Sequence, residues 1–210
     1  MFSFKSLIVL SQLALLSVAL PTLEARSPIP PAGFAILSTS AAGTGCSSSS
    51  SSTFTQISPS AGALTTVFAE LFAEIGPGIS AANNQKDCKI TVTAFVPAGW
   101  SFGVAEGSIR GYEQLDAGVT LDVVSTYTFP GVTPTKSQSV NHNGPVPYPG
   151  TSFSSQQTFD SSVGTSPCGA GAGDGSTVTL EIDTDVRVSG TGTGYGAIDS
   201  ADVIFGFHEC

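Results

Sequence analysis

Thr177-Val178-Thr179-Leu180-Glu181-Ile182-Asp183-Thr184-Asp185-Val186-Arg187-Val188 is the longest clean alternation in this chain. Val178, Leu180, Ile182, Val186 and Val188 fall on one side, and Thr179, Glu181, Asp183, Asp185 and Arg187 on the other. Side chains of a strand point alternately to its two faces, so the stretch predicts a strand with one dry and one wet face. Parallel sheets, buried on both faces, read as unbroken apolar runs, so the alternation also predicts an antiparallel sheet.

Working outward, the same two-residue period recurs. Ile90, Val92, Ala94 and Val96 alternate with Lys89, Thr91, Thr93 and Phe95, and Pro97 ends the run. Val119, Leu121, Val123, Tyr127 and Phe129 line one face of another strand, turned by Pro130-Gly131. Phe102–Leu115, broken by Gly103, Gly107 and Gly111, predicts a strand with bulges or sharp bends. Val203, Phe205 and Phe207 face inward from a final strand over Asp202–His208. Residues 63–75 are ambiguous. Leu64, Val67, Phe68, Leu71 and Ile75 recur at helical spacing, but the β-branched Thr65-Thr66-Val67 favours a strand, and the strand is preferred. Pro145, Pro147 and Pro149 forbid regular structure around them, leaving Ser152–Phe159 as a short strand in a weakly patterned region. Six to eight strands separated by Gly and Pro predict an all-β fold, an antiparallel two-sheet β-sandwich.

The first 25 residues read as a signal peptide: Lys5, then an apolar run from Leu7 to Leu20, then small residues that allow cleavage after Ala19 or Ala25. That run is shorter than the roughly 20 residues a membrane-spanning helix needs. Residues 26–45 read as a Pro/Gly-rich, partly extended N-terminal arm, and 46–210 as the secreted sandwich domain. The six serines Ser47–Ser52 predict a mobile loop or an O-glycosylation site, and no Asn-x-Ser/Thr sequon is present. A secreted, extracellular location follows from the leader and from the even set Cys46, Cys88, Cys168 and Cys210. Four cysteines allow three pairings. Equal spacing points to sequential pairs. The placement of Cys88 and Cys168 before strong strands, with Cys46 and Cys210 bracketing the domain, favours Cys88–Cys168 and Cys46–Cys210.

Seven basic and sixteen acidic residues give a net charge of −9. Such a surface repels phosphate backbones and anionic lipid, which excludes nucleic acid and membrane surfaces as expected partners. Among polar clusters, Glu181, Asp183 and Asp185 stand about 6.5–7 Å apart along one strand face. Repulsion among them would be relieved by calcium, with Asp174, Asp199 or Asp202 completing the shell; the alternative is a solvated face offset by Arg187. No other cofactor is expected. Arg110, Tyr112 and Asp116 form a second cluster, in which Arg110 holds Asp116 across a bend under Tyr112. As a recognition patch it would be extended by Trp100 and Phe95, which point outward by the alternation; the alternative is that these two cap the end of the sandwich. Glu106, Glu113, Asp116 and Glu181 are the carboxylates available for acid–base hydrolysis of a glycoside. No G-x-S-x-G elbow is present. His142 reads as an exposed loop histidine and His208 as structural.

The stretch Arg110-Gly111-Tyr112-Glu113-Gln114-Leu115-Asp116-Ala117-Gly118-Val119 resembles a family of small secreted fungal and actinobacterial proteins, domain of unknown function 4360. Further pieces match in order: Gly45-Cys46, Gly76-Pro77-Gly78, Asp87-Cys88, Thr126-Tyr127-Thr128-Phe129 and Ser166-Pro167-Cys168-Gly169. The resemblance spans Cys46–Cys210 and departs at the serine run, where relatives carry a proline and a short turn. It implies a secreted, disulfide-bonded β-rich domain and supplies no catalytic residues. The expectation is therefore a non-enzymatic extracellular protein that meets a surface, a glycan or another protein, or coats the wall. A carbohydrate-active hydrolase using a carboxylate pair is the alternative.

Overall fold

A computed structural model describes residues 29–46, 52–58, 62–170 and 174–210; the leader and most of the serine run lie outside them. Among the described residues are eleven strands: β1 Ala35–Ala42, β2 Thr53–Ser58, β3 Ala63–Phe68, β4 Phe72–Ile75, β5 Gln85–Val96, β6 Trp100–Leu115, β7 Val119–Thr128, β8 Lys136–Asn143, β9 Val146–Thr158, β10 Ser176–Gly190 and β11 Gly194–Glu209. They form two sheets. Sheet A runs β1-β5-β10-β7-β8, and sheet B runs β2-β3-β11-β6-β9 with β4 also beside β11. Every strand pairing is antiparallel. The sandwich expected from the alternation is the fold, with more strands than the sequence suggests.

The inner face of β5 is Cys88, Ile90, Val92, Ala94 and Val96, all essentially inaccessible. Beside it Leu180, Ile182, Val186 and Val188 of β10 are equally buried. The one polar interruption, Thr184, meets Ser125 of β7 at 2.9 Å between hydroxyls, so neither buried oxygen lacks a partner. The core is graded from end to end. One end is aromatic: Phe102 lies edge-on to Phe34, Phe129 and Phe205 at 5.1–5.3 Å. At the other end Gly194 and Gly196 of β11 let Val119 and Leu121 approach its backbone. Between the two ends, Tyr127 reaches from sheet A toward Gly107 of sheet B, where any β-carbon would collide with the phenol oxygen. Burial pushes that phenol up to about 12, and its hydroxyl lies 3.4 Å from Gln138 Oε1.

Four expectations change. First, the disulfides are Cys46–Cys88 and Cys168–Cys210, not Cys88–Cys168 and Cys46–Cys210. Strand β1 lies antiparallel on β5, and Gly45 N donates to Asp87 O, which sets Cys46 beside Cys88. At the far end, Gly99 N donates to Gly169 O and Cys210 N donates to Gly99 O, so Cys168 and Cys210 converge on the start of β6. Second, the N-terminal arm is in part an edge strand, β1. Third, residues 63–75 are extended as preferred, but as two strands, β3 and β4, broken at Ala69–Leu71, in place of one. Fourth, Pro147 and Pro149 lie within β9. A proline cannot donate to a ladder, and β9 tolerates both because it is an edge strand whose register with β6 breaks between Thr151 and Val146. The bulge expected in Phe102–Leu115 is present at Ala105, opposite the Ile204/Phe205 step of β11.

Candidate functional site

The outer face of sheet A is assembled from β5, β10 and β7. Their out-pointing residues enclose a trough of about 770 Å³ lined by Asp87, Asp122, Glu181, Asp183 and Asp185 against Lys89 and Arg187. The acids are largely met within the face. Lys89 Nζ lies 3.4 Å from Glu181 Oε2 and 3.8 Å from Asp183 Oδ2. Gln85 Nε2 donates to both oxygens of Asp185 at 2.9 Å, and Asn141 donates to Asp122. Asp87 accepts from the hydroxyl of Thr44 at 2.6 Å. The Asp183 carboxyl is held above its ordinary value of 3.8, mainly by desolvation; Lys89 opposes this, while Asp87, Asp185 and Glu181 add repulsion.

This geometry does not draw the three carboxylates into a calcium shell. Glu181, Asp183 and Asp185 do share one face, but the ammonium of Lys89 serves the first two and an amide serves the third. Asp202 lies on the opposite side of the molecule, in sheet B. Among the described residues no three acidic, histidine or cysteine side chains converge as a metal cradle.

The outer face of sheet B is built differently. Arg110 and Tyr112, two apart on β6, both point outward. Arg110 does not reach Asp116. Its Nη1 pairs with Asp202 Oδ2 at 3.1 Å, and Asp202 also accepts from Thr65 at 2.6 Å and Ser108 at 3.2 Å. Asp116 instead caps the turn into β11, accepting from Thr193 N at 2.8 Å. Tyr112 stands 6.2 Å from Tyr195, which stacks on Phe72 at 5.6 Å with 29° between planes. Ala197 pairs with Phe72 on one side and Tyr112 on the other, so three half-buried rings surround one small residue. Tyr112 donates through its hydroxyl to Pro149 O, and the neighbouring Tyr148 is 85% exposed. Gly150 has φ +82° and passes so close to Tyr112 that a side chain there would strike the phenol. The phenol of Tyr195 is held above its usual value, by desolvation first and then by Asp199 and Glu74.

Trp100 lies at the opposite end of β6, partly buried against the core and away from Arg110 and Tyr112. Phe95 is on the outer face of sheet A, against Gly175. The candidate hydrolytic carboxylates are scattered. Glu181 is on sheet A's outer face, Glu106 is on sheet B's, and Asp116 is in a turn. Glu113 is buried between the sheets, 2.9 Å from His142 Nδ1. His142 is a strand residue of β8 with its ring edge-on to Phe153, not a loop residue. His208 lies 3.0 Å from Ser161 Oγ, a structural contact as expected.

Phe72, Tyr148, Tyr195 and Asp202 did not stand out in the sequence as members of this patch. The signal was present in Gly194-Tyr195-Gly196, where two inward glycines force the tyrosine out. It was hidden by a bulge at Asp199, which reverses the alternation: Ile198 faces in, and so do Ala201, Val203 and Phe205.

An uncharacterized secreted protein of Arthroderma benhamiae (strain ATCC MYA-4681 / CBS 112371) is 33% identical over 107 residues, 51% of this chain and 43% of the relative. The match thus spans less than half of that relative's length. Three solved structures align with low TM-scores. They are TmCBM61 in complex with beta-1,4-galactotriose (13% identity, 83% of this chain, 90% of that one, TM-score 0.31), the CBM22-1–GH10 modules of Clostridium thermocellum xylanase 10B with xylohexaose (8%, 63% and 24%, 0.29), and infectious bursal disease virus, Gx strain (10%, 82% and 36%, 0.29). At such scores none bears on what this chain binds. No helix among the described residues is long and apolar enough to cross a membrane. A family model, Domain of unknown function (DUF4360), matches residues 32–208, and the chain belongs to that family.

Proposed function

We propose that this is a secreted extracellular protein that works by contact, without catalysis, and that its contact surface is the outer face of sheet B. One observation carries the reading: Phe72, Tyr195 and Tyr112 gather, half-buried, around Ala197 on the outer face, with the exposed Tyr148 on the adjoining strand and the ordered Arg110–Asp202 pair nearby. Aromatic side chains offer large contact area with few rotatable bonds, and arginine adds directional donors; both are enriched where surfaces meet partners. An interior role does not account for them, because the core is complete on the other side of the same strands. The carboxylate-pair alternative has no comparable support, since Glu106, Glu113, Asp116 and Glu181 occupy four separate places.

The test is a pull-down of the mature protein against cell-wall polysaccharides and immobilised extracellular proteins, run beside Tyr148→Ala and Tyr195→Ala. Retention should fall at least tenfold in the variants, about 1.4 kcal/mol. Retention independent of both tyrosines would remove this face from consideration. Turnover of a glycan, lost in any one of Glu106→Gln, Glu113→Gln or Glu181→Gln, would replace the reading with a hydrolase.

A further inference from the structure

We infer that the occupant of the sheet B face is a short run of a neutral, linear polysaccharide lying across the strands. The inference rests on the reading just given and names its ligand class.

Direction and length come from the sheet. Phe72 belongs to β4, Tyr195 to β11, Tyr112 to β6 and Tyr148 to β9, successive neighbours in the sheet. With strands about 4.8 Å apart, three steps give a row of about 14 Å, longer than one pyranose ring. Phe72 and Tyr112 share one register line across the strands through Ala197, Tyr195 stands two residues along β11 from that line, and Tyr148 lies beyond it at the register break of β9, so the rings form a staggered band across the sheet. Its rings are half-buried at the centre and open at Tyr148, so an extended chain has a floor and an accessible end.

Chemistry narrows the class. A pyranose presents C–H groups on its ring faces and hydroxyls at its rim, so it needs aromatic surface and fixed polar groups together. Both are present. Asp202 is oriented by Thr65, Ser108 and Arg110, leaving little side-chain freedom to lose on binding. Arg110 remains 61% exposed, and a guanidinium has five N–H donors, so donors remain for neighbouring hydroxyls beside the Asp202 acceptor. Charge excludes the acidic polymers. Glu74 pairs directly opposite Tyr195, Asp199 sits at the bulge above it, and Asp202 completes three carboxylates against the single Arg110. Uronate, sulfated and phosphorylated chains meet repulsion there. A protein partner fits less well, because the face beyond the rings is mostly serine and threonine, with Phe54 and Val67 as its exposed apolar pair.

The experiment is isothermal titration calorimetry of the mature protein with neutral oligosaccharides (cello-, laminari-, manno- and galactotetraose), polygalacturonate oligomers, and chitosan oligomers as the cationic control. The variants Tyr148→Ala and Arg110→Lys are run in parallel, and circular dichroism confirms that both fold. The expected result is binding of at least one neutral tetraose, weakened tenfold or more by Tyr148→Ala and severalfold by Arg110→Lys, with affinity little changed between 50 and 500 mM salt. Preferential binding of the galacturonate or chitosan oligomers, or capture of a protein but no sugar, lost in Tyr148→Ala, would overturn the neutral-glycan inference and leave the contact face standing. Binding of any polymer that ignores both variants would overturn the face as well. No binding of any neutral chain overturns the inference.

Discussion

The two outer faces of this sandwich are made from strands of similar length and satisfy their polar groups in opposite ways. On sheet A the charged side chains answer one another: lysine bridges two acids, glutamine holds a third, asparagine a fourth. On sheet B one aspartate is anchored by three partners beside a cluster of aromatic rings. A face whose groups are mutually spent has little left to offer a ligand. A face with rings and an underused guanidinium does. The acidic trough is a hollow of about 770 Å³, yet it is the poorer candidate for recognition.

The strongest perturbation compares the staples, one associated with each sheet. Cys46–Cys88 joins β5 of sheet A to the end of β1, and Cys168–Cys210 fastens the end of β11 in sheet B. Both close 42-residue separations, so the loop-entropy model gives each about 4 kcal/mol. Replacing either pair with serine should lower the melting temperature by roughly 8–16 °C. Equal losses in calorimetry would make the sheets equivalent in this respect, and a loss confined to one pair would show that the other is redundant with sheet packing.

Next in size is the layer between the faces. Tyr127 keeps its proton to about pH 12 when folded but loses it near 10 when unfolded. Its contribution to stability is intact below pH 10 and is lost as pH rises toward 12, an effect of about 2–3 kcal/mol. Denaturant titrations of Tyr127→Phe across that range should show a flatter alkaline decline than the parent; an unchanged slope would mean the phenol is hydrated.

Smaller effects separate the faces directly. Asp202→Asn on sheet B leaves Arg110 without its ionic partner and should cost about 1 kcal/mol, given the pair's partial exposure. Asp183→Asn on sheet A should do the reverse. A carboxyl held above its ordinary value opposes folding at neutral pH, so neutralising it should raise the melting temperature slightly, by less than about 2 °C. That gain should vanish below pH 3.8, where the parent is also protonated. Equal signs for the two variants would erase the distinction drawn between the faces.

The same contrast explains what the sequence disclosed. Sheet A's face was readable because β5, β7 and β10 alternate without interruption: a residue's parity gives its side. Sheet B's face was not. Parity reverses at Asp199 in β11 and at Ala105 in β6, while the prolines of β9 disguise an edge strand as a loop. Arg110 and Tyr112 were legible because they lie on one stretch between bulges. Their partners Asp202 and Tyr195 come from β11, about ninety residues later, and no local pattern connects them. The disulfides misled for a related reason: strand strength and bracketing positions carry no information about which edge strand lies on β5.

Strand β11 lies at the heart of sheet B, touching β3, β4 and β6, and it follows every other described strand in chain order. Every strand of sheet A precedes it, so that layer has its full complement of neighbours while the other still lacks its keystone. Until β11 has been made, β3 and β6 lack the strand that joins them, and sheet B is left with unpaired inner edges while sheet A has all of its strands.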